Sequence, residues 1–179
     1  MQRFILTGTP GSGKTALLRQ LEVDGFSVVD EAATDIIALW QANGIAEPWT
    51  HSTFIDAVAG LQRQREFRAS LEQVTLQFHD RSVVCTAVLA AYLQRPLTPL
   101  LHQELARIRT EATFQTTVFF IRNLGFVEPT PARRISYEEA LRFEEMHELK
   151  YREHGYELVY IEPASLRERV AAILQAIGI

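Results

Sequence analysis

Gly8-Thr9-Pro10-Gly11-Ser12-Gly13-Lys14-Thr15 is a complete G-x-x-x-x-G-K-[ST] run, set between the apolar Phe4-Ile5-Leu6 and the helical pattern Ala16-Leu17-Leu18-Arg19-Gln20-Leu21. Those flanks are what the motif needs. A buried strand aims the loop, and the helix behind it offers unpaired N–H groups and a positive dipole end to an anion. The glycines let successive backbone N–H groups turn inward around a β-phosphate. Lys14 can bridge β- and γ-phosphates, and the Thr15 hydroxyl can ligate Mg²⁺. The stretch from Gly8 to Ala16 is therefore expected to hold a nucleoside triphosphate, ATP with Mg²⁺.

Composition narrows what such a loop can serve. At 179 residues, 47% hydrophobic and 22% charged, the chain has the size of one compact domain with one substantial core, so 1–179 is read as a single domain. That leaves no room for the helical lid domain of a hexameric motor. The net charge of −4 gives no basic excess, so no nucleic-acid partner is expected. The lone Cys85 excludes an internal disulfide and suits a reducing compartment, and no CxxC or His-rich cluster suggests a structural metal. The first apolar run is only a strand long, so it is not read as a signal peptide, and no stretch reaches membrane-span length. A cytoplasmic location with no membrane partner is the expectation; a protein partner is left open.

Short apolar runs alternate with helical patterns, the signature of an α/β sheet with crossover helices. Strands are expected at Arg3 to Thr7, Phe26 to Asp30, Val74 to His79, Thr117 to Arg122 and Glu157 to Ile161. One helix should run through Ile36, Ile37 and Trp40 to Asn43-Gly44, and a long one should start near Thr53. Thr98-Pro99 reads as an N-cap and first helical position. Ser136-x-x-Glu139 and Ser165-x-x-Glu168 read as capping boxes. The fold class is α/β, a P-loop kinase-like three-layer sandwich with a mainly parallel five-stranded sheet and helices on both faces.

Ligands collect at the carboxyl ends of parallel strands, which directs attention to two acids. Glu31, after the second strand, is the candidate base for an attacking hydroxyl; it could equally be an acid favouring a helix dipole, with Asp30 the choice if the register slips by one. Asp80, closing the third strand, stands where a carboxylate can help hold Mg²⁺ opposite Thr15. Arg81 could touch a phosphate or substrate, or pair with Asp80 or Glu31. His79 reads as a satisfied structural histidine and Cys85 as a small buried apolar residue. Gly125 to Ile135, broken by Pro129 and Pro131, is read as a lid that brings Arg133 and Arg134 over the γ-phosphate. Arg63, Arg65 and Arg68 could face an anionic substrate, but an Arg/Glu-rich helix is more often simply solvated.

The order of Gly8 to Thr15, Glu31, Asp80-Arg81, Arg133-Arg134 with Glu138-Glu139, and Tyr151-Arg152-Glu153-His154-Gly155-Tyr156 resembles the compact bacterial AAA-type ATPase/kinase domains related to nicotinamide riboside kinase. It is more distantly similar to deoxynucleoside kinases, whose corresponding strand ends carry a catalytic glutamate and a Glu-Arg-Ser triplet. Members of the compact group often have an arginine shortly after the strand-two glutamate and an acid after the Asp-Arg pair; Thr34 and Cys85 occupy those neighbourhoods here.

The residues and the resemblance together lead to one expectation: Mg²⁺-ATP-dependent phosphoryl transfer to a hydroxyl of a small polar, nucleoside-like acceptor. Lys14, Glu31, Asp80, Arg133 and Arg134 are the catalytic candidates and Thr15 with Asp80 the metal ligands. Trp40, Trp49 and Phe54 are either acceptor-pocket walls or plain core. The alternative is a nucleotide-dependent regulatory ATPase without a small acceptor. A GTPase is disfavoured because Arg122-Asn123-Leu124-Gly125-Phe126 lacks the Asn-Lys-x-Asp pattern that reads guanine.

Overall fold

The computed structural model describes residues 1–125 and 136–179. The elements in chain order are β1 (Gln2–Thr7), α1 (Lys14–Val23), β2 (Ser27–Val29), α2 (Ala33–Ala42), a 3₁₀ turn (Pro48–Thr50) and α3 (Phe54–Ala69). There follow β3 (Leu76–Asp80), α4 (Val83–Tyr92), α5 (Pro99–Thr110), β4 (Thr117–Ile121), α6 (Tyr137–Glu153), β5 (Glu157–Ile161) and α7 (Leu166–Ala176). The expected lid and its Arg133 and Arg134 lie outside the described residues.

All five strands are parallel, in the order β2-β3-β1-β4-β5. The chain thus builds to one side of β1 through β3 and β2 and to the other through β4 and β5, and the loop after β1 sits where the two directions part. Strand alternation sorts the core into two halves. Phe4 and Leu6 of β1 join Phe78, Phe119 and Ile121 beneath α1 and α7. Ile5 points the other way, with Val118, into the larger cluster under α2 to α6. The three layers expected from the sequence are therefore present.

The expected elements form with small shifts at their ends. β2 shrinks to three residues, because it is an edge strand paired only with β3. Thr98 caps α5 through Leu101 N–H, and both Ser136 and Ser165 make reciprocal capping boxes with Glu139 and Glu168. The element that the sequence reading did not anticipate is α4. Its Val83 to Val88 and Ala90 are all buried, enclosed by α3, α5 and α6. A helix apolar all round carries no 3.6-residue period to detect.

Candidate active site

The loop from Gly8 to Gly13 is shaped by backbone that only glycine tolerates well. Gly8 has φ 128°, and a Cβ there would lie 2.3 Å from the Ile121 carbonyl oxygen, so the loop leaves β1 in near contact with the end of β4. Gly13, with φ 83°, is the N-cap of α1 and provides no side-chain cap. The first N–H groups of that helix are thus left facing the loop, as an anion site requires. Lys14 is buried, and its Nζ donates to the Thr9 carbonyl at 2.6 Å and to Ser12 Oγ at 3.1 Å. Burial, with Arg81 nearby, pulls its pKa below the ordinary lysine range. An arriving phosphate would reverse that pull by supplying the missing anion.

Strand register carries the acids to the same place. Leu6 lies opposite Asp80 and Val29 opposite His79, so the ends of β1, β3 and β2 present the loop, Asp80 and Glu31 side by side. Asp80 is 2% exposed and its Oδ1 has no hydrogen-bond partner. Burial first, then the Glu31 carboxylate, push its pKa up. Glu31 lines the cavity, accepts a hydrogen bond from Thr34 Oγ1 at 3.0 Å and meets Arg81 Nε at 2.9 Å. Asp30 faces the other way, bound to Arg19 of α1 at 2.8 Å. Of the two acids, Glu31 is the one that lines the cavity.

Arg81 pairs with Glu31, one of the alternatives set out for it, and also contacts a residue that sequence reasoning missed. Its φ of 72° is left-handed while its N–H still donates to Leu6 O at 3.0 Å, so the turn into α4 begins before the ladder ends. Its Nη1 is 3.2 Å from His147 Nε2. His147 Nδ1 is 2.7 Å from the Phe143 carbonyl, which requires a proton on Nδ1 and leaves Nε2 to accept from Arg81. Burial and Arg81 hold this imidazole neutral, with its pKa near 3. Close by, Tyr151 Oη lies 3.0 Å from Ser82 Oγ and 3.1 Å from Cys85 Sγ, so α6 is fastened to the start of α4 by polar contacts. Cys85 also contacts Thr7 Oγ1 at 3.2 Å.

Arg65 is more than the solvated residue favoured for it. It donates to the Asp30 carbonyl at 3.3 Å, to the Glu31 carbonyl and to the Asp35 carboxylate, pinning the corner that carries Glu31. His79 also departs from expectation: it is fully buried against Phe114, and neither ring nitrogen finds a partner among the described residues.

The loop, Glu31 and Arg81 form one end of a cavity of about 620 Å³. Beyond Glu31 and Arg81 it runs between α2, α3 and α4, where Trp49, Phe54, Val58, Gln62, Tyr92 and Phe143 line it. Of the three aromatics, Trp49 and Phe54 line the cavity, Phe54 also belonging to the buried core, whereas Trp40 is not among the cavity's lining residues and packs edge-on against Phe54 and His51. Thr15 lines the loop end and is exposed. No group of three or more His, Cys, Asp or Glu side chains among the described residues could hold a metal ion, so an ion here would draw most of its ligands from substrate phosphates and water. The orphaned Asp80 oxygen and the Thr15 hydroxyl fit such an ion. No helix among the described residues is long and apolar enough to cross a membrane.

A family model described as an AAA domain matches residues 3–169. No curated protein matches the sequence. Among solved structures, NadR in complex with NAD and AMP-PNP matches with a TM-score of 0.72 at 15% identity, over 99% of this chain and 50% of NadR. NadR in complex with NR gives 0.71 at 16% identity, over 99% of this chain and 51% of that one. Deoxyadenosine kinase from M. mycoides with bound dATP gives 0.60 at 10% identity, over 99% of this chain and 100% of the kinase. The chain spans about half the length of the NadR chains it matches. At these identities the likeness is one of fold, and that fold is P-loop kinase-like.

Proposed function

Given that the chain belongs to this AAA-domain family, we propose that it catalyses Mg²⁺-ATP-dependent phosphoryl transfer to a hydroxyl of a small polar, nucleoside-like acceptor. One observation carries the reading: the cavity does not stop at the phosphate loop but continues past Glu31 into an aromatic recess. A triphosphate tail on the loop would leave that recess for a second molecule, whose hydroxyl would enter beside Glu31. The kinases of like fold support the same choice, as does the chemistry of the residues.

In this mechanism the loop N–H groups and Lys14 hold the phosphates and offset their charge. Thr15 and Asp80 would hold Mg²⁺, which when bound would supply charge neutralisation for the phosphates. Glu31, kept in place by Arg65 through its backbone and by Thr34 and Arg81 through its carboxylate, accepts the acceptor's hydroxyl proton. Catalysis here is chiefly positioning and charge stabilisation, since phosphoryl transfer asks for little covalent chemistry from the protein. Arg133 and Arg134 are assigned by sequence to close over the γ-phosphate; alanine at either should lower turnover more than affinity.

The test is ADP release with and without a panel of nucleosides, vitamins and sugars, in wild type and Glu31→Gln. Acceptor-stimulated release in wild type, lost in Glu31→Gln at unchanged Mg²⁺-ATP affinity, is the expected result. Equal basal hydrolysis in both, unmoved by any acceptor, would instead support a regulatory ATPase.

A further inference from the structure

Arg169, one turn into α7, is a charged residue that the mechanism above does not use. It is 4% exposed, and its Nη2 donates to the Ser12 carbonyl of the phosphate loop at 2.8 Å. Its Nε has no hydrogen-bond partner, and no carboxylate among the described residues pairs with it. Burial, unopposed by any acid, pulls its pKa below the arginine range. A buried guanidinium without a counter-charge is costly in a resting fold. Such a cost is reduced when an anion arrives nearby.

The contact also has a geometric effect on the loop. No peptide bond among the described residues is cis, so in the planar Ser12-Gly13 unit the carbonyl and the Gly13 N–H point in opposite directions. Arg169 takes the carbonyl from the α7 side. The Gly13 N–H is thereby turned away from α7, and Gly13 lines the cavity on its other side. The guanidinium further polarises the peptide, which makes that N–H a stronger donor. Close approach is part of the arrangement, since a Cβ on Gly13 would stand 3.0 Å from Arg169 Nη1.

We propose that Arg169 is a positioning residue for phosphate binding: it fixes the Ser12-Gly13 peptide with its N–H toward the anion and contributes a positive charge that the anion compensates. The inference rests on the reading of the loop as a triphosphate site and extends it to a helix at the far end of the sequence. Arg169 acts through the loop and touches the phosphate tail only by way of it, so its effect is on the triphosphate and not on the nucleoside part or the acceptor.

The test uses the full chain with two probes, Mg²⁺-ATP and inorganic tripolyphosphate with Mg²⁺, titrated by calorimetry. Arg169→Met should weaken both by about 10- to 100-fold, the size of a lost charge-assisted hydrogen bond. Arg169→Lys, which restores the charge, should recover part of the loss. In turnover assays the KM for ATP should rise while the KM for the acceptor stays put, a split that general loosening of the fold would not produce. If Arg169→Met does not fold, Arg169→Gln carries the same comparison. Wild-type affinity for both probes in a folded, neutral variant overturns the inference alone. A loss for ATP without one for tripolyphosphate also overturns it, by placing Arg169 on the nucleoside half. A wild-type chain that binds neither probe overturns the triphosphate reading and this inference with it.

Discussion

Gly8 and Lys14 illustrate how differently two residues of one loop should respond to substitution. At Gly8 an added methyl group meets the Ile121 carbonyl oxygen at 2.3 Å in a left-handed backbone, so neither space nor conformation allows it. Gly8→Ala should cost at least about 2 kcal/mol, from strained φ and overpacking together. Gly44, with φ 85° and nothing within 4 Å of its Cβ position, is the matched control: alanine there should cost only about 1 kcal/mol. Urea melts of the two variants check the difference. Lys14→Ala should leave the fold intact, because burial already disfavours the ammonium, yet it should abolish turnover and weaken triphosphate binding. Unchanged ATP turnover in folded Lys14→Ala would remove the loop from the active site. Asp80→Asn keeps the shape but removes the charge proposed to hold Mg²⁺, so activity should fall by orders of magnitude and respond to added Mg²⁺; wild-type behaviour at limiting Mg²⁺ would place the carboxylate elsewhere.

Between elements, the contact most exposed to a single change is the ion network joining α3 to α5. Arg107 binds Glu66 at 2.7 Å and Glu104 at 2.9 Å, and those two carboxylates are 6% and 1% exposed. Arg107→Leu would take from Glu66 its one ion pair among the described residues and leave Glu104 with Arg63 alone, at 3.3 Å, and should destabilise the protein by about 3 kcal/mol; adding Glu66→Gln to that variant should return part of the loss in denaturant melts. Much at this scale was legible in the sequence, for identifiable reasons. Caps at Thr98, Ser136 and Ser165 are local chemistry, and strands at β1, β4 and β5 are apolar runs bounded by polar residues. What was not legible depends on partners far along the chain. α4 is apolar on every face because three helices surround it, so it shows no period. Trp40 packs, partly buried, against Phe54 and His51 although its spacing suits a wall equally well. Arg65 and His147 acquire their roles only when β2 and β3 bring Glu31 and Arg81 to them. Glu31 could be singled out from sequence because a strand end is a local feature, whereas the pairing that turns Asp30 toward Arg19 is visible only in the fold.

For the whole molecule, two buried imidazoles contribute to the response to acid. His79 and His147 both have pKa values lowered to about 3, chiefly by burial, while an unfolded histidine titrates near the ordinary 6.5. Between those limits the unfolded chain takes up protons that the folded chain refuses. Stability from these groups is thus full above pH 6.5 and is lost as the pH falls toward 3, by up to about 1.4 kcal/mol per pH unit for each histidine. His79→Leu removes one of the two, so its unfolding free energy should fall less steeply than that of wild type between pH 6.5 and 4.5; identical slopes would show that His79 does not stay neutral in the fold. A different demand on the molecule follows from α4. Its coat is supplied by α3, which precedes it, and by α5 and α6, which follow, with the last of them ending at Glu153. As the chain leaves a ribosome, Val83 to Tyr92 must therefore wait on the order of seconds for that coat to be made. During the interval a sticky helix is open to solvent and to other nascent chains. Yield in a cell should accordingly depend on how fast the second half is translated and on chaperone supply, even for variants whose finished fold is as stable as that of the parent.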